Sequence, residues 1–295
     1  MAPRSVLYPF LVTLLAVAAL SLMDVFMKTA SLAVGAFSAL LIRSWVSSGL
    51  MLPLYLARGG RWPGPAARRV HLIRGVVSTG MALTFFSALV HLPVAEAIAL
   101  SFIAPIIALA LAALLLKERI GRSAISAALL GLVGVGVIVS SRLGSDGMAS
   151  DSTLGVGLIL VSAFLYAWNL VLQRQQALLA RPVEIGTAQN LIIGVLLLGG
   201  APFFLNIPDD ADTWQAILAG SLLSLTGAML VGWAYARAEA QVLVPVEYSG
   251  FVWSALFGWL LLEETVSLTT VAGAALIVVA CWIAAPRKAP EQIVT

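Results

Sequence analysis

Three charged residues lie inside long apolar stretches near the start of the sequence. Asp24 and Lys28 belong to the first stretch and Arg43 belongs to the second, at a similar depth. Because residues four apart share one face of a helix, Asp24 and Lys28 can pair. An ionised side chain at the centre of a bilayer costs roughly 2.5–3.5 kcal/mol and needs a partner. We interpret the three as a structural charge cluster in which the Lys28 ammonium reaches toward the interface. An outer gate is the alternative interpretation.

Glu247 is the ionisable residue that we place first among candidate binding residues. It lies about two helical turns inside the ninth apolar stretch, which is deep for a short acidic side chain. A carboxylate in this position can bind the ammonium group of a solute or carry a proton. The alternative is an ion pair with Arg237 or with a neighbouring loop.

Neutral polar residues in the apolar stretches are the next candidates. Ser78 and Ser101 can donate hydrogen bonds to a carboxylate, or they can bond back to carbonyls of their own helices. Asn169 carries an amide that must find hydrogen-bond partners in hydrocarbon, either from another helix or from a ligand. These residues therefore favour either a binding site for a small polar solute or contacts between helices.

Aromatic side chains accompany these polar residues. Trp168, Tyr248 and Trp253 combine apolar area with a polar atom, and the faces of their rings attract ammonium groups. Packing in the core or against lipid is the alternative for each ring. Pro105 and Pro245 interrupt apolar stretches, so each frees a helix carbonyl and permits a bend, and Gly250 adds flexibility near the second proline.

The elements that position these residues follow from composition. The sequence of 295 residues is 61% hydrophobic and 11% charged, with a mean hydropathy of +1.01. Apolar stretches of about 20 residues are long enough to cross a bilayer as helices. We therefore predict an all-α integral membrane protein. Its ten predicted spans are roughly 6–28, 36–57, 72–91, 94–116, 121–141, 153–174, 184–206, 213–235, 240–262 and 267–285.

The basic residues predict which side of the membrane each loop occupies. Lys and Arg accumulate in cytoplasmic loops, and alternate loops of this chain are basic. The opposite loops hold Lys28 and Arg142 together with most of the acidic residues outside the spans. Both termini are therefore predicted to be cytoplasmic, in a multi-pass protein of the inner membrane. The residues assigned to the inner side are Arg4, Arg58, Arg61, Arg68, Arg69, Arg74, Lys117, Arg119, Arg122, Arg174, Arg181, Arg237, Arg287 and Lys288.

A phrase near the middle of the sequence returns near its end. "LLLKE", Leu114 to Glu118, becomes "LLLEE", Leu260 to Glu264, and each phrase closes the fourth span of a five-span unit. A unit with an odd number of spans enters the membrane from the opposite side when it is repeated. We therefore predict two inverted five-helix repeats, 1–145 and 146–295. In addition, Gly131, Gly134 and Gly136 should let the fifth helix approach a neighbour closely.

The segments Leu92–Ile120 and Ala238–Val266 carry a resemblance to a known family. "LPVAEAIALSFIAPIIALALAALLLKERI" and "AEAQVLVPVEYSGFVWSALFGWLLLEETV" are similar to the fourth helix of the repeat in the drug/metabolite transporter superfamily, in its ten-helix members with two EamA repeats. The second segment departs from the first because Phe251 replaces Pro105 and the proline lies at Pro245 instead.

The resemblance implies a pseudo-twofold arrangement around a central cavity, with the fifth helices peripheral. It places Trp168, Asn169, Tyr248 and Trp253 on helices around that cavity, and it makes Pro105, Pro245 and Gly250 hinges for alternating access. A static kink is the alternative for the hinges. The wording of the second segment is most similar to bacterial exporters of amino acids and related metabolites.

Other function classes lack support in the sequence. The chain has no G-x-S-x-G or H-E-x-x-H motif and no phosphate-binding glycine loop, so a membrane enzyme is disfavoured, as is a scaffold with such short loops. One cysteine and two histidines make a metal site a poor hypothesis, and no cofactor is predicted. Dispersed basic residues argue against nucleic acid as a partner. We expect export of an amino acid or similar solute by a protein embedded in lipid. Another metabolite, such as a nucleoside derivative or organic cation, is the alternative cargo, and the sequence leaves the transport direction and oligomeric state open.

Overall fold

The computed structural model describes residues 7–104, 106–107, 122–143, 150–177, 179–235, 237, 243 and 246–284. Every regular element in these residues is an α-helix, as the sequence predicts. In chain order the helices are α1 (Leu7–Ala57), α2 (Pro65–His91), α3 (Val94–Ser101), α4 (Arg122–Leu143), α5 (Ser150–Ala177), α6 (Pro182–Leu198), α7 (Ala201–Phe204), α8 (Ala211–Tyr235), α9 (Ser249–Leu262) and α10 (Leu268–Ala284).

The first helical segment is too long to cross a membrane once. Its 51 residues would extend about 77 Å at 1.5 Å per residue, whereas a hydrocarbon core is about 30 Å thick. Gly35, with φ 83° and ψ 149°, breaks the segment between the first two predicted spans. Asp24 and Arg43 would lie about 28 Å apart on a straight helix, yet they interact electrostatically. The two parts of α1 therefore fold back on each other.

Several helices meet the length and composition expected of a membrane span. Four described helices do so, within Leu7–Ala57, Pro65–His91, Thr153–Gln173 and Ala211–Ala234. Shorter apolar helices lie at Leu129–Ser140, Pro182–Leu198, Ser249–Leu262 and Leu268–Ala280. The fourth predicted span is described mainly by α3, since most of its second half, including "LLLKE", lies outside the described residues.

Helix packing separates a large group of helices from a pair beside it. In the large group, the most extensive contacts join α1 to α8 and α2 to α5, and α1 also contacts α6 and α9. The predicted fifth and tenth spans, α4 and α10, pack against each other and otherwise contact mainly α3. This arrangement agrees with a peripheral position for the two.

Glycines allow α4 and α10 to approach closely. A Cβ atom on Gly134 would lie 2.8 Å from the carbonyl oxygen of Gly273, and one on Gly273 would lie 2.7 Å from that of Gly134. A Cβ on Gly131 would contact Ile106 at 2.5 Å. The predicted close approach is thus confirmed for Gly131 and Gly134. A Cβ on Gly136 would meet nothing within 4 Å, so this glycine takes no part in the approach.

Candidate functional site

Lys28 forms a buried ion pair at the predicted outer end of the bundle. Its ammonium donates to Glu264 Oε1, and it also donates to the carbonyl oxygen of Leu92 at 2.6 Å. The other carboxylate oxygen, Glu264 Oε2, accepts a hydrogen bond from the backbone N–H of Val94 at 2.8 Å. We call these four residues the outer latch. It ties α1 to the start of α3 and to the chain that leaves α9.

The outer latch corrects the pairing expected from residue spacing. Lys28 pairs with Glu264 and not with Asp24, although the spacing of Asp24 and Lys28 places both on one helix face. The reason is that α9 ends beside Lys28 and delivers a carboxylate there, with a backbone carbonyl adjacent to it. Lys28 is only 7% exposed, and its ammonium lies beside Leu92 and Glu264, just beyond the ends of two predicted spans, so it reaches the outer end of the bundle but is enclosed by protein.

Asp24 and Arg43 form a second charged group, one helical turn deeper along α1 than the latch. Both are buried, and they interact electrostatically across the fold at Gly35. No basic side chain in the described part of the chain lies within ion-pair distance of Asp24. The predicted cluster of Asp24, Lys28 and Arg43 is therefore divided between two groups with different partners.

The hydrogen bonding of Arg43 is incomplete. Its Nη1 donates to Ser224 Oγ at 3.0 Å, and its guanidinium carbon lies 5.6 Å from the centre of the Phe86 ring. The Nε–H group is buried and has no hydrogen-bond partner among the described residues. A buried donor without an acceptor costs about 1–3 kcal/mol. Such a cost within a membrane-spanning helix makes Arg43 a candidate for a functional position.

Arg74 is also buried, but its guanidinium is satisfied by amide oxygens. It donates from Nε to Asn169 Oδ1 at 3.0 Å and from Nη1 to Gln176 Oε1. Ser78 Oγ donates to the same Asn169 oxygen at 3.0 Å. The network continues to His71, whose Nδ1 accepts a hydrogen bond from the Gln176 amide. We call it the Arg74 network, and it joins α2 to α5.

The far end of the Arg74 network contains an ionisable pair. Because His71 Nδ1 accepts from an amide, its proton is on Nε2, which donates to Glu184 Oε1 at 3.2 Å. We had expected Arg74 in a basic loop, but the residue is only 6% exposed. Its place inside the predicted span 72–91 was a signal that it is buried. No comparable sequence signal marks His71 or Gln176.

The predicted polar residues differ in their partners. Ser78 and Asn169 are brought together in the Arg74 network. Ser101 Oγ bonds back to the carbonyl oxygen of Ala97 at 2.8 Å, which is one of the two expected uses. Glu247 is half-buried and lies close enough to Tyr166 to interact with it electrostatically.

The predicted aromatic residues also differ in their surroundings. Tyr248 meets Phe102 edge to face, with ring centroids 5.2 Å apart, and Trp253 stacks on Phe257 at 5.7 Å. The Trp253 Nε1–H group is buried without a hydrogen-bond partner. Trp168 is 42% exposed, on a different face of α5 from the buried Asn169. Trp168 therefore does not join the buried groups described above.

Of the three predicted hinge residues, only Gly250 is described. Pro105 and Pro245 lie outside the described residues. Gly250 is buried near the start of α9, and its carbonyl oxygen accepts a hydrogen bond from Ser21 Oγ at 3.3 Å. Because Gly250 lies beside Ser21 and Glu264 lies beside Lys28, α9 runs in the same direction as the first part of α1.

A wide hollow opens at the predicted inner end, opposite the latch. Its volume is about 970 Å³, and its walls come from the C-terminal part of α1, the loop that follows, the start of α6 and the second half of α8. Leu225 is the lining residue of α8 farthest from the C-terminal end of that helix. It follows Ser224, the hydrogen-bond partner of Arg43. Along α8, the hollow therefore extends as far as the residue next to Ser224, while its nearest lining residue on α1, Met51, is two helical turns from Arg43.

Comparison with known families identifies the fold. The model of the EamA-like transporter family matches residues 7–140 and residues 153–285. The chain belongs to the EamA-like transporter family. Three of the polar groups described above, those of Lys28, Arg43 and Arg74, each join the two EamA-like segments. Lys28 pairs with Glu264, Arg43 donates to Ser224, and Arg74 donates to Asn169.

Individual relatives of this EamA-like protein are also transporters by name. It is 29% identical over 276 residues to the pseudopaline exporter CntI of Pseudomonas aeruginosa, covering 92% of this chain and 93% of that protein. It is 32% identical over 215 residues to an uncharacterized transporter of Helicobacter pylori, covering 68% of each chain. A riboflavin transporter of Brucella anthropi is 22% identical over 235 residues, with 78% and 80% of the two chains covered.

One solved crystal structure has the same overall fold. It superposes with a TM-score of 0.62 and 23% sequence identity, covering 94% of this EamA-like chain and 96% of the other chain. This similarity supports the arrangement of the helices. Together with the family match, it establishes a multi-pass, all-helical transporter of small molecules as the class of this protein.

Proposed function

We propose that the protein exports amino acids or related small amphipathic metabolites across the inner membrane by alternating access. The observation that carries this proposal is an asymmetry between the two ends of the bundle. The outer latch joins three helical segments at one end, while a hollow of about 970 Å³ opens at the other. A transporter that faces the cytoplasm, with its outer end closed, has this arrangement.

The mechanism follows from which elements the latch connects. Lys28 and Val94 belong to the first EamA-like segment and Glu264 to the second, so the outer end opens only when the two segments separate there. Gly35 and Gly250 supply flexible positions in α1 and α9. The prolines Pro105 and Pro245 remain proposed hinges. The inverted repeats 1–145 and 146–295, with both termini cytoplasmic, remain part of this proposal.

Export, rather than uptake, is favoured by the similarity to a pseudopaline exporter. The binding residues predicted from the sequence belong to the same proposal. Glu247 binds an ammonium group or carries a proton, while Tyr248 and Trp253 provide aromatic walls. Trp168 has the weaker claim because 42% of its surface is exposed.

A second cargo class is favoured by a different relative. The similarity to a riboflavin transporter supports a larger heterocyclic metabolite, such as a nucleoside derivative. The hollow at the inner end is large enough for such a solute, because drug-sized ligands occupy pockets of roughly 300–1,000 Å³. We propose transport, rather than catalysis, for either cargo.

Purified protein reconstituted in liposomes tests both cargo classes. Labelled amino acids and labelled riboflavin are offered separately, with and without an imposed proton gradient, and protein-free liposomes measure leakage. Movement of an amino acid supports the first proposal, and its dependence on the gradient makes Glu247 the candidate proton site. Movement of riboflavin alone supports the second. If folded protein moves neither, both cargo assignments are wrong.

A further inference from the structure

Two buried arginines differ in how completely the protein satisfies them. Arg74 donates hydrogen bonds to two amide oxygens, those of Asn169 and Gln176. Arg43 donates a hydrogen bond to one hydroxyl oxygen, that of Ser224, and its Nε–H group is buried without a partner among the described residues. The two side chains have nearly the same exposure, 6% for Arg74 and 7% for Arg43. Burial alone therefore does not explain the unsatisfied donor at Arg43.

The described surroundings of Arg43 leave the Nε–H group of its guanidinium without an acceptor. Phe86 covers a face of the group, and Ser224 occupies Nη1. In any guanidinium, the Nε–H bond lies parallel to an N–H bond of the adjacent terminal nitrogen. That pair of donors matches the two oxygens of a carboxylate. An unpartnered Nε–H in a buried arginine is the donor that such a ligand would occupy.

The position of Arg43 connects this edge to a route for solute. The hollow at the inner end is lined by Leu225, next in sequence to Ser224, and by Met51, two helical turns from Arg43 on α1. The outer latch lies on the other side, one turn beyond Asp24. Arg43 and Asp24 are thus between an open end and a closed end, where alternating access requires its binding site.

Asp24 supplies the opposite charge at the same level. It is buried and lies within electrostatic range of Arg43, but it has no ion-pair partner among the described residues. Trp253 lies one turn beyond Gly250, as Asp24 lies one turn beyond Ser21, and its buried Nε1–H has no partner in the described part of the chain. Arg43 therefore offers a donor for a carboxylate, and Asp24, within electrostatic range of it, offers an acceptor for an ammonium group.

We propose that Arg43 binds the carboxylate of the transported solute and that Asp24 binds its ammonium group. This inference rests on the proposed transport function and narrows its cargo to zwitterions. It places the site at Arg43 and Asp24, whereas the sequence pattern predicted the ammonium at Glu247 and the carboxylate at serines. Glu247 then has no required role in binding the zwitterion.

The test measures binding and transport of a matched set of solutes. The twenty protein amino acids are first screened against purified wild-type protein by thermal shift and by liposome uptake. Each amino acid that binds is then compared with its decarboxylated amine and with its N-acetyl derivative. We expect wild-type protein to prefer the amino acid at least tenfold over either analogue, because each analogue lacks one of the two charged groups.

Variants test which residue binds the carboxylate of the solute and which binds its ammonium group. Arg43→Lys keeps the positive charge but loses the two-donor edge, so we expect at least a tenfold loss of affinity for the amino acid. Asp24→Asn should abolish the preference for the amino acid over its N-acetyl derivative. Arg69→Gln, which removes an exposed arginine of α2, is the matched control and should behave as wild type. Gel filtration and the melting temperature establish that each variant is folded.

The possible results separate this inference from the proposed function. If wild-type protein moves an amino acid and folded Arg43→Lys and Asp24→Asn bind it with unchanged affinity and selectivity, the inference is wrong and the transport function stands. If wild-type protein moves the amine or riboflavin but no amino acid, the inference and the amino-acid cargo are wrong, and the transport function stands. If folded wild-type protein binds and moves none of these solutes, the inference and the proposed function are both wrong.

Discussion

Loss of the Lys28 ammonium should open the outer end of the bundle. The Lys28 and Glu264 side chains are 9% and 14% exposed, so the pair is largely shielded from water. Breaking a buried ion pair by removing one partner costs roughly 3–5 kcal/mol. We take the lower limit, about 3 kcal/mol, because the Glu264 carboxylate keeps its hydrogen bond from Val94. That energy corresponds to a change on the order of 100-fold in the ratio of open to closed molecules.

The assay measures how fast a buried thiol near the latch reacts. Cys281 is replaced by serine, and Ala97 of α3, which is 0% exposed, is replaced by cysteine. A membrane-impermeant maleimide then reports opening of the outer end. Labelling should be slow with Lys28 present and much faster with Lys28→Met, because Glu264 no longer holds α1 against α3.

A double-mutant cycle separates the latch from general destabilisation. Glu264→Gln keeps an oxygen that can accept from Val94 but removes the negative charge. The double variant of Lys28→Met and Glu264→Gln leaves no lone buried charge, so we expect it to be closer to wild type than the two single effects predict, by about 0.5–3 kcal/mol. Additive effects, or labelling that Lys28→Met leaves unchanged, would refute the latch.

Three further predictions concern the fold that supports the site. Gly35→Ala should lower stability by about 1–3 kcal/mol, measured by thermal unfolding in detergent, because φ 83° and ψ 149° are accessible almost only to glycine. Gly134→Ala should lower stability by about 1–3 kcal/mol in the same assay, because its Cβ would lie 2.8 Å from the Gly273 oxygen, while Gly136→Ala should be neutral. Asp210→Ala should lower the melting temperature at pH 7, whereas Asp210→Asn should preserve most of it, because either side chain caps α8. The backbone N–H of Thr213 donates to Asp210 and holds the pKa of that carboxyl below its ordinary value of 3.8, so its contribution is present at neutral pH and is lost only as the pH falls through that lowered pKa.

The sequence predicted the helices well because the requirement for them is local. Apolar stretches of sufficient length must satisfy their backbone groups internally in a bilayer, and this depends on composition alone. The break at Gly35 followed from the same pattern, since it falls between two predicted spans. The close approach of α4 and α10 was predictable because glycines at spacing three share a helix face.

The partners of the charged residues were not predictable in this way. Lys28 and Glu264 are 236 residues apart in the chain, and only the tertiary arrangement brings them together. The local spacing rule instead offered Asp24, which lies on the same face of α1. The sequence pattern placed Glu264 only at the end of "LLLEE", in a loop on the outer side, and predicted no partner for it. Its neighbour Glu263 ends α9 with φ 56°, and that turn directs Glu264 toward the latch.

Two buried cations, Arg43 and Lys28, lie at successive levels between the hollow at the inner end and the outer latch, and their partners differ. At the inner end, Arg58, Arg61 and Arg181 line the hollow with Glu184, so its walls carry net positive charge and attract carboxylates. Arg43 follows, with an unsatisfied donor that a carboxylate can occupy. Lys28 comes last, with its charge already neutralised by Glu264. On the proposed route, a carboxylate that enters from the hollow meets the unsatisfied donor of Arg43 before Lys28, and it leaves at the outer end only after Lys28 and Glu264 separate.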